Sequence, residues 1–176
     1  MNEFQQVTYA EFVWLLTRTQ KQHIDVGEPI PEINSQGQHK IQYCLQAPFM
    51  GFGDIEFHKT FDEKAAILFY DLCKLHCLMN GNKRMAIETT IFFAFKNQRY
   101  CYIDKRVFID MAKKVVESDA NNKDEIVWWV SRVFYGGIRK MTKLMQIKLI
   151  LHYIPRLVLY IISSYSNRLS NFFRQK

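Results

Sequence analysis

The sequence predicts a mainly α fold: a helical bundle with one small β-hairpin, followed by an apolar, basic C-terminal helical tail. Apolar residues recur at helical spacing in successive stretches between Tyr9 and Phe134. No long run alternates apolar and polar residues as a half-buried strand would. With 48% hydrophobic and 15% aromatic residues in a chain of 176, one domain with a sizeable core and an appendage is expected.

In chain order, the first helix is expected from Tyr9 to Thr19, with Phe12, Leu15 and Leu16 on its apolar side and Thr8 as its cap. Residues 23–38 carry Gly27, Pro29, Pro31, Asn34, Ser35 and Gly37, which is loop composition. A short helix is expected from Ile41 to Gln46, stopped by Pro48. Phe52, Gly53, Ile55 and Phe57 follow in a Gly-containing segment with partial alternation, a hairpin on the surface. Thr60-Phe61-Asp62-Glu63 reads as a capping box. Ala65, Leu68, Leu72, Leu75 and Met79 then place a helix over residues 62–79. A second helix, residues 83–97, follows through Met85, Ile91, Phe92 and Phe95. After a turn from Asn97 to Tyr102, Asp104–Val116 forms a helix with Val107, Phe108, Met111 and Val115 on one side. The polar run Asp119–Asp124 leads into Glu125–Phe134, with Ile126, Trp129, Val130 and Val133 inward, and Gly136-Gly137 ends the domain.

Charge separates the tail from the body. Residues 1–126 hold 15 Lys/Arg and all 17 Asp/Glu, whereas residues 127–176 hold nine Lys/Arg and no acid. The net charge of +7 therefore describes the tail, and no specific nucleic-acid partner is expected. Between residues 145 and 163 there are ten Leu, Ile or Val, interrupted by Lys148, His152 and Arg156, with Pro155 set to kink any helix. Those apolar residues offer roughly −3 to −6 kcal/mol toward insertion against about +3 kcal/mol for a central Arg156. The sum is too near zero to choose spanning. Surface attachment to anionic lipid and packing on the domain or a partner both stay open. The N-terminus has no basic and apolar leader, so a cytoplasmic protein with reduced thiols is expected, membrane-associated if residues 145–163 bind lipid. Cys73, His76 and Cys77 are spaced as metal ligands on a helix, but no Cys-x-x-Cys pair accompanies them, and buried free cysteines are the expectation.

The stretch that carries chemistry is His76-Cys77-Leu78-Met79-Asn80-Gly81-Asn82-Lys83-Arg84-Met85-Ala86. A polar break precedes a helix start, so free backbone N–H groups and the positive dipole end make an anion site, with two cations added. His76 stands one turn before the break and supplies a titratable imidazole. Asn-Gly-Asn is also an ordinary helix–helix turn, and a His near a helix end also serves as a cap. Spacing alone does not separate these readings.

The run resembles the signature of the Fic/Doc family, His-x-Phe-x-(Asp/Glu/Asn)-(Gly/Ala)-Asn-(Gly/Lys)-Arg. Its Asn-Lys-Arg variant looks like the death-on-curing (Doc) branch. Glu63-Lys64-Ala65-Ala66 is similar to the opening of the preceding helix in Doc-like chains, and Leu45-Gln46-Ala47-Pro48-Phe49 resembles the segment before the family's flap. The resemblance covers roughly residues 7–135. It implies a Fic/Doc-like helical bundle as a catalytic domain over residues 1–137, with residues 138–176 as an extension. It also implies that the hairpin at Phe52, Gly53, Ile55 and Phe57 is a flap that holds the target protein as an added strand.

The resemblance implies roles as well. His76 is the general base that deprotonates a protein hydroxyl. Gly81, Asn82, Lys83 and Arg84 bind the nucleotide phosphates, with ATP and Mg²⁺ as cofactors. AMP-transferring members have Gly at the position of Lys83 and a second Arg at that of Ile87. Doc-like members share both changes and pass on the γ-phosphate. The implied protein is a growth-inhibitory phosphotransferase acting on a Ser/Thr of a translation factor such as elongation factor Tu. No Ser/Thr-x-x-x-Glu-Gly/Asn inhibitory pattern is present, which implies an antitoxin in trans. Two departures stand out: Leu78 replaces the family's Phe, and Asn80 stands where many members have a carboxylate for Mg²⁺, leaving a weaker neutral oxygen. An AMP-transferring enzyme, and a binding module without catalysis, are the competing readings.

Overall fold

In a computed structural model, residues 4–23 and 30–147 are described. The body is mainly helical, with six α-helices among those residues. The elements are α1 (Tyr9–His23), α2 (Ser35–Gln46), β1 (Gly51–Phe52), β2 (Ile55–Glu56), α3 (Phe61–Lys74) and α4 (Asn82–Lys96). They continue with β3 (Arg99–Cys101), α5 (Lys105–Glu117), α6 (Lys123–Gly137) and β4 (Ile138–Lys140). One compact unit runs through Lys140, three residues past the boundary read from the sequence, because β4 pairs antiparallel with β3. A second unit begins at Met141. Within it, residues 143–147 are helical, and Thr142 Oγ1 accepts from the Met145 N–H. The rest of the expected tail helix, from residue 148, lies outside the described residues.

α3 is the axis of the bundle. Eleven of its 14 residues are buried, so it is enclosed on all sides, as a central helix must be. α4, α5, α6 and α2 pack around it. Phe61 stacks on Phe93 with centroids 5.0 Å apart, and Phe69 meets Phe134 at 5.7 Å and Phe108 at 6.0 Å. The helix starts where the sequence places it. Thr60 accepts from the Glu63 N–H, and Glu63 Oε2 accepts from Thr60 N–H at 2.9 Å and Lys59 N–H at 2.8 Å. The same reciprocal pair, Thr8 with Glu11, opens α1.

Several boundaries differ from the periodicity. α3 ends at Lys74, not Met79. Lys74 Nζ donates to the carbonyls of Val115 (3.2 Å), Val116 (2.9 Å) and Ser118 at the end of α5. This seats a cation on the negative end of that helix. The chain then leaves the helix, and Met79 is 84% exposed rather than part of an apolar stripe. α2 is twice the expected length: Asn34 caps it by accepting from Gly37 N–H at 2.7 Å. Gly37 is buried in the helix because a Cβ there would run into the Cys77 carbonyl oxygen. On α4 the buried face is Met85, Ala86, Thr89, Thr90, Phe93 and Ala94, while Ile91 and Phe95 are exposed. Val107 on α5 is likewise exposed, its place on the buried side taken by Ala112. The polar run before α6 is a short 3₁₀ turn, Ala120–Asn122.

Candidate active site

The segment from Leu75 to Gly81 joins α3 to α4 and holds His76. It is a seven-residue loop rather than a tight Asn-Gly-Asn turn, so the imidazole sits on the loop and not one helical turn before it. His76 is exposed, and its backbone adopts φ +48°. A left-handed non-Gly residue costs about 1–2 kcal/mol, so the surrounding structure must fix it there.

Two asparagines hold the second half of the loop. Asn82 Oδ1 accepts from the Leu78 N–H at 2.8 Å, and Asn82 Nδ2 donates to the Leu78 carbonyl at 2.7 Å. Asn80 Oδ1 accepts from the Gly81 N–H at 2.7 Å. Gly81 is the N-cap of α4 with φ +87°, and its carbonyl accepts the first helical bond, from Met85 N–H at 2.9 Å. A Cβ on Gly81 would lie 2.8 Å from Ile30 Cγ1, so this glycine meets both a dihedral demand and a close approach. Ile30 is buried and was not singled out by sequence reasoning, since it sits in a stretch read as loop.

At the start of α4, the N–H groups of Asn82, Lys83 and Arg84 come before the first intrahelical donor, Met85. Lys83 is exposed and Arg84 half-buried on the same turn. Three outward N–H groups, a helix dipole and two cations suit a polyphosphate. The resemblance assigns the Asn82 side chain to a phosphate oxygen. Here both of its polar atoms serve Leu78, which leaves one Nδ2 hydrogen and the backbone N–H for a ligand. A magnesium ion fits less fully, because Asn80 Oδ1 is engaged with the Gly81 N–H. Among the described residues no group of three or more His, Cys, Asp or Glu is arranged to hold a metal. This donor set suits an ion carried mainly by phosphate oxygens, the usual habit of Mg²⁺.

The flap residues form a separate hairpin, anchored on the first turns of α3 rather than on the His76 loop. β1 and β2 pair with Gly51 opposite Glu56 and Phe52 opposite Ile55, and Gly53 turns the chain at φ +58°. Phe52, Ile55 and Phe57 are exposed, Phe52 to 80%. The anchor is Lys64, only 1% exposed. Its Nζ donates to Glu56 Oε2 at 2.8 Å and to the Pro48 carbonyl at 2.9 Å, over the ring of Phe49 at 4.7 Å. Sequence reasoning noted Lys64 only as part of a family string. The signal available was a lysine inside an otherwise apolar helical run, which must find a partner when buried.

A second ion pair ties α3 to α6: the buried Asp71 Oδ1 and the partly exposed Lys123 Nζ are 3.1 Å apart. Burial pushes the Asp71 carboxyl above the usual range, and Lys123 only partly offsets this. Among the described residues no helix is long and apolar enough to cross a membrane. The expected lipid contact of residues 145–163 falls, beyond Ile147, outside them.

Compared with known proteins, residues 7–94, half of the chain, match the sequence model of the Fic/DOC family. The match includes the hairpin, α3, the whole His76 loop and nearly all of α4. No curated protein and no solved structure matches the chain.

Proposed function

The chain belongs to the Fic/DOC family of protein-modifying transferases, and from that premise we propose that it is a Doc-like phosphotransferase. It passes the γ-phosphate of ATP to a Ser or Thr hydroxyl of a target protein, a translation factor such as elongation factor Tu. Growth arrest follows, and an antitoxin in trans relieves it. The observation that carries this reading is the first turn of α4. Lys83 occupies an exposed position where nucleotide-transferring relatives have Gly, and Ile87 packs against the core where they place a second Arg. An apolar side chain turned to the core offers no grip on terminal phosphates, so the AMP-transfer pose loses a ligand and Lys83 crowds it.

The residues divide the work as follows. His76 accepts the proton of the target hydroxyl as its oxygen bonds to the γ-phosphorus, the bond from that phosphorus to the β–γ bridging oxygen breaks, and ADP leaves. The backbone N–H groups of Asn82 to Arg84, with the Lys83 and Arg84 cations, oppose the charge on the phosphoryl oxygens. Gly81 to Arg84 would hold the nucleotide, and Asn80 would offer a neutral oxygen to its Mg²⁺; the bound nucleotide would supply the phosphoryl group and the ion would screen its charge. Phe52, Ile55 and Phe57 offer an apolar edge on which a strand of the target is held. The test is to express wild type and His76→Ala in cells and map modified Ser and Thr peptides by mass spectrometry. The reading expects phosphate on a translation factor with wild type and none with His76→Ala. A nucleotide on the same hydroxyl would replace it with the AMP-transfer reading, and modification independent of His76 would overturn both.

A further inference from the structure

Immediately after His76 comes Cys77, and its sulfur does not face solvent. Cys77 Sγ lies 3.5 Å from Cys44 Sγ, which comes from α2. Both thiols are free and buried. A disulfide needs its sulfurs about 2.05 Å apart, so closure asks for roughly 1.5 Å of approach. The two sides differ in how readily they yield. α2 is capped by Asn34 and inserts Ile41 and Leu45 into the core. Cys77 belongs to the non-helical loop, which Asn82 and Asn80 hold at Leu78 and Gly81, beyond Cys77 in the chain. At Gly37 of α2 the Cys77 carbonyl leaves no room for a Cβ, so the backbones already run close, and closure comes from turning the side chains or shifting the loop.

The two sulfurs share one hydrogen bond, which either can donate. That contact acts to lower the Cys77 thiol, with burial opposing it, Lys40 adding to it and Asp71 working against it, and it acts to raise Cys44. This direction favours Cys77 as the attacking sulfur and Cys44 as the resolving one.

We propose that Cys44 and Cys77 form an oxidative modification site, at which hydrogen peroxide closes a disulfide that displaces the loop carrying His76. The Cys77 thiolate attacks the peroxide O–O bond, takes one oxygen as a sulfenic acid and releases the other as hydroxide, or as water once protonated. Cys44 then attacks the sulfenic sulfur; the S–O bond breaks, a second water leaves, and the S–S bond forms. Two thiols are oxidised and one peroxide is reduced to two waters. Cys73, one turn earlier on α3, is fully buried with its thiol pushed up by burial, and does not compete as the thiolate.

The test uses the full chain treated with hydrogen peroxide, then alkylated and digested. The expected product is lighter by two hydrogens and yields a linked peptide joining Cys44 to Cys77. Backbone amide exchange over residues 75–82 should change on oxidation and return with dithiothreitol. Cys44→Ser should show neither effect; Cys44→Ala, with helicity checked by circular dichroism, serves if the serine variant does not fold. Neither readout depends on the transfer reaction or its target. Oxygen added to Cys77 without a bridge, a bridge to Cys73 or Cys101 instead, or a Cys44–Cys77 bridge that leaves exchange at 75–82 unchanged would each overturn the proposal.

Discussion

Replacing Asn82 by alanine separates two roles for one side chain. If Asn82 mainly grips a phosphate, Asn82→Ala weakens nucleotide binding and leaves the apo protein alone. The structure instead has the side chain clamping Leu78 through two bonds, at 2.8 and 2.7 Å. Each such bond contributes about 0.5–1.5 kcal/mol net, and both are only partly buried, so the pair stabilises the loop by about 1–3 kcal/mol. That energy corresponds to roughly a 5- to 150-fold rise in the local opening that exposes the Leu78 amide. The assay is hydrogen exchange of peptides spanning residues 75–82 in the absence of nucleotide. Asn82→Asp sharpens it, because it keeps the acceptor for Leu78 N–H but turns an oxygen toward the Leu78 carbonyl. It should open the loop at least as much as alanine at neutral pH. Unchanged exchange in both variants would refute the clamp.

Other consequences follow from the same geometry. Gly81→Ala forces a Cβ onto Ile30 at 2.8 Å and holds alanine at φ +87°, so it should destabilise by about 1–3 kcal/mol in thermal unfolding. Ile30→Ala costs about 2–5 kcal/mol by itself, so the steric part is read as the non-additivity of the double variant, which should be less destabilised than the two single changes summed. Lys64→Met removes the bonds to Glu56 and Pro48 but keeps the apolar stem; cleavage within residues 50–58 by added protease should speed up severalfold while the unfolding midpoint moves little. Stability should fall as pH drops. Against partial burial, which raises it, the N–H groups of Thr60 and Lys59 hold Glu63 below its ordinary value of 4.5. For Glu11 burial again acts upward, and Lys96 and Thr8 outweigh it. Both contributions are full above that value and are lost as pH falls through the lower folded-state values. Glu63→Gln should flatten the acid limb of a melting-temperature profile.

The sequence told most where a polar signal had a local job. Thr60 with Glu63, and Thr8 as a cap, mark helix starts through bonds three residues long, and both stand in the structure. It told less where tertiary contact decided. Nothing near Lys74 in sequence announces that its ammonium caps α5, some 40 residues on, so the periodicity carried α3 too far. Gly37 and Asn34 read as loop because glycine and asparagine usually do; here one is a cap and the other a close approach to Cys77. On α4, apolar residues lie on both faces, and periodicity chose Ile91 and Phe95 over the buried Thr89, Thr90 and Phe93. The motif gave the positions of the candidate site, but not that its second asparagine is committed to the loop or that the hairpin before α3 hangs on a buried lysine.

Purified protein incubated with cell lysate and ATP labelled on either the α- or the γ-phosphate, with His76→Ala alongside, tests the proposed phosphoryl transfer by the His76 loop and the start of α4. Label on protein is expected from the γ position only, and is lost in His76→Ala. Label from the α position would contradict it and make the site a nucleotide transferase.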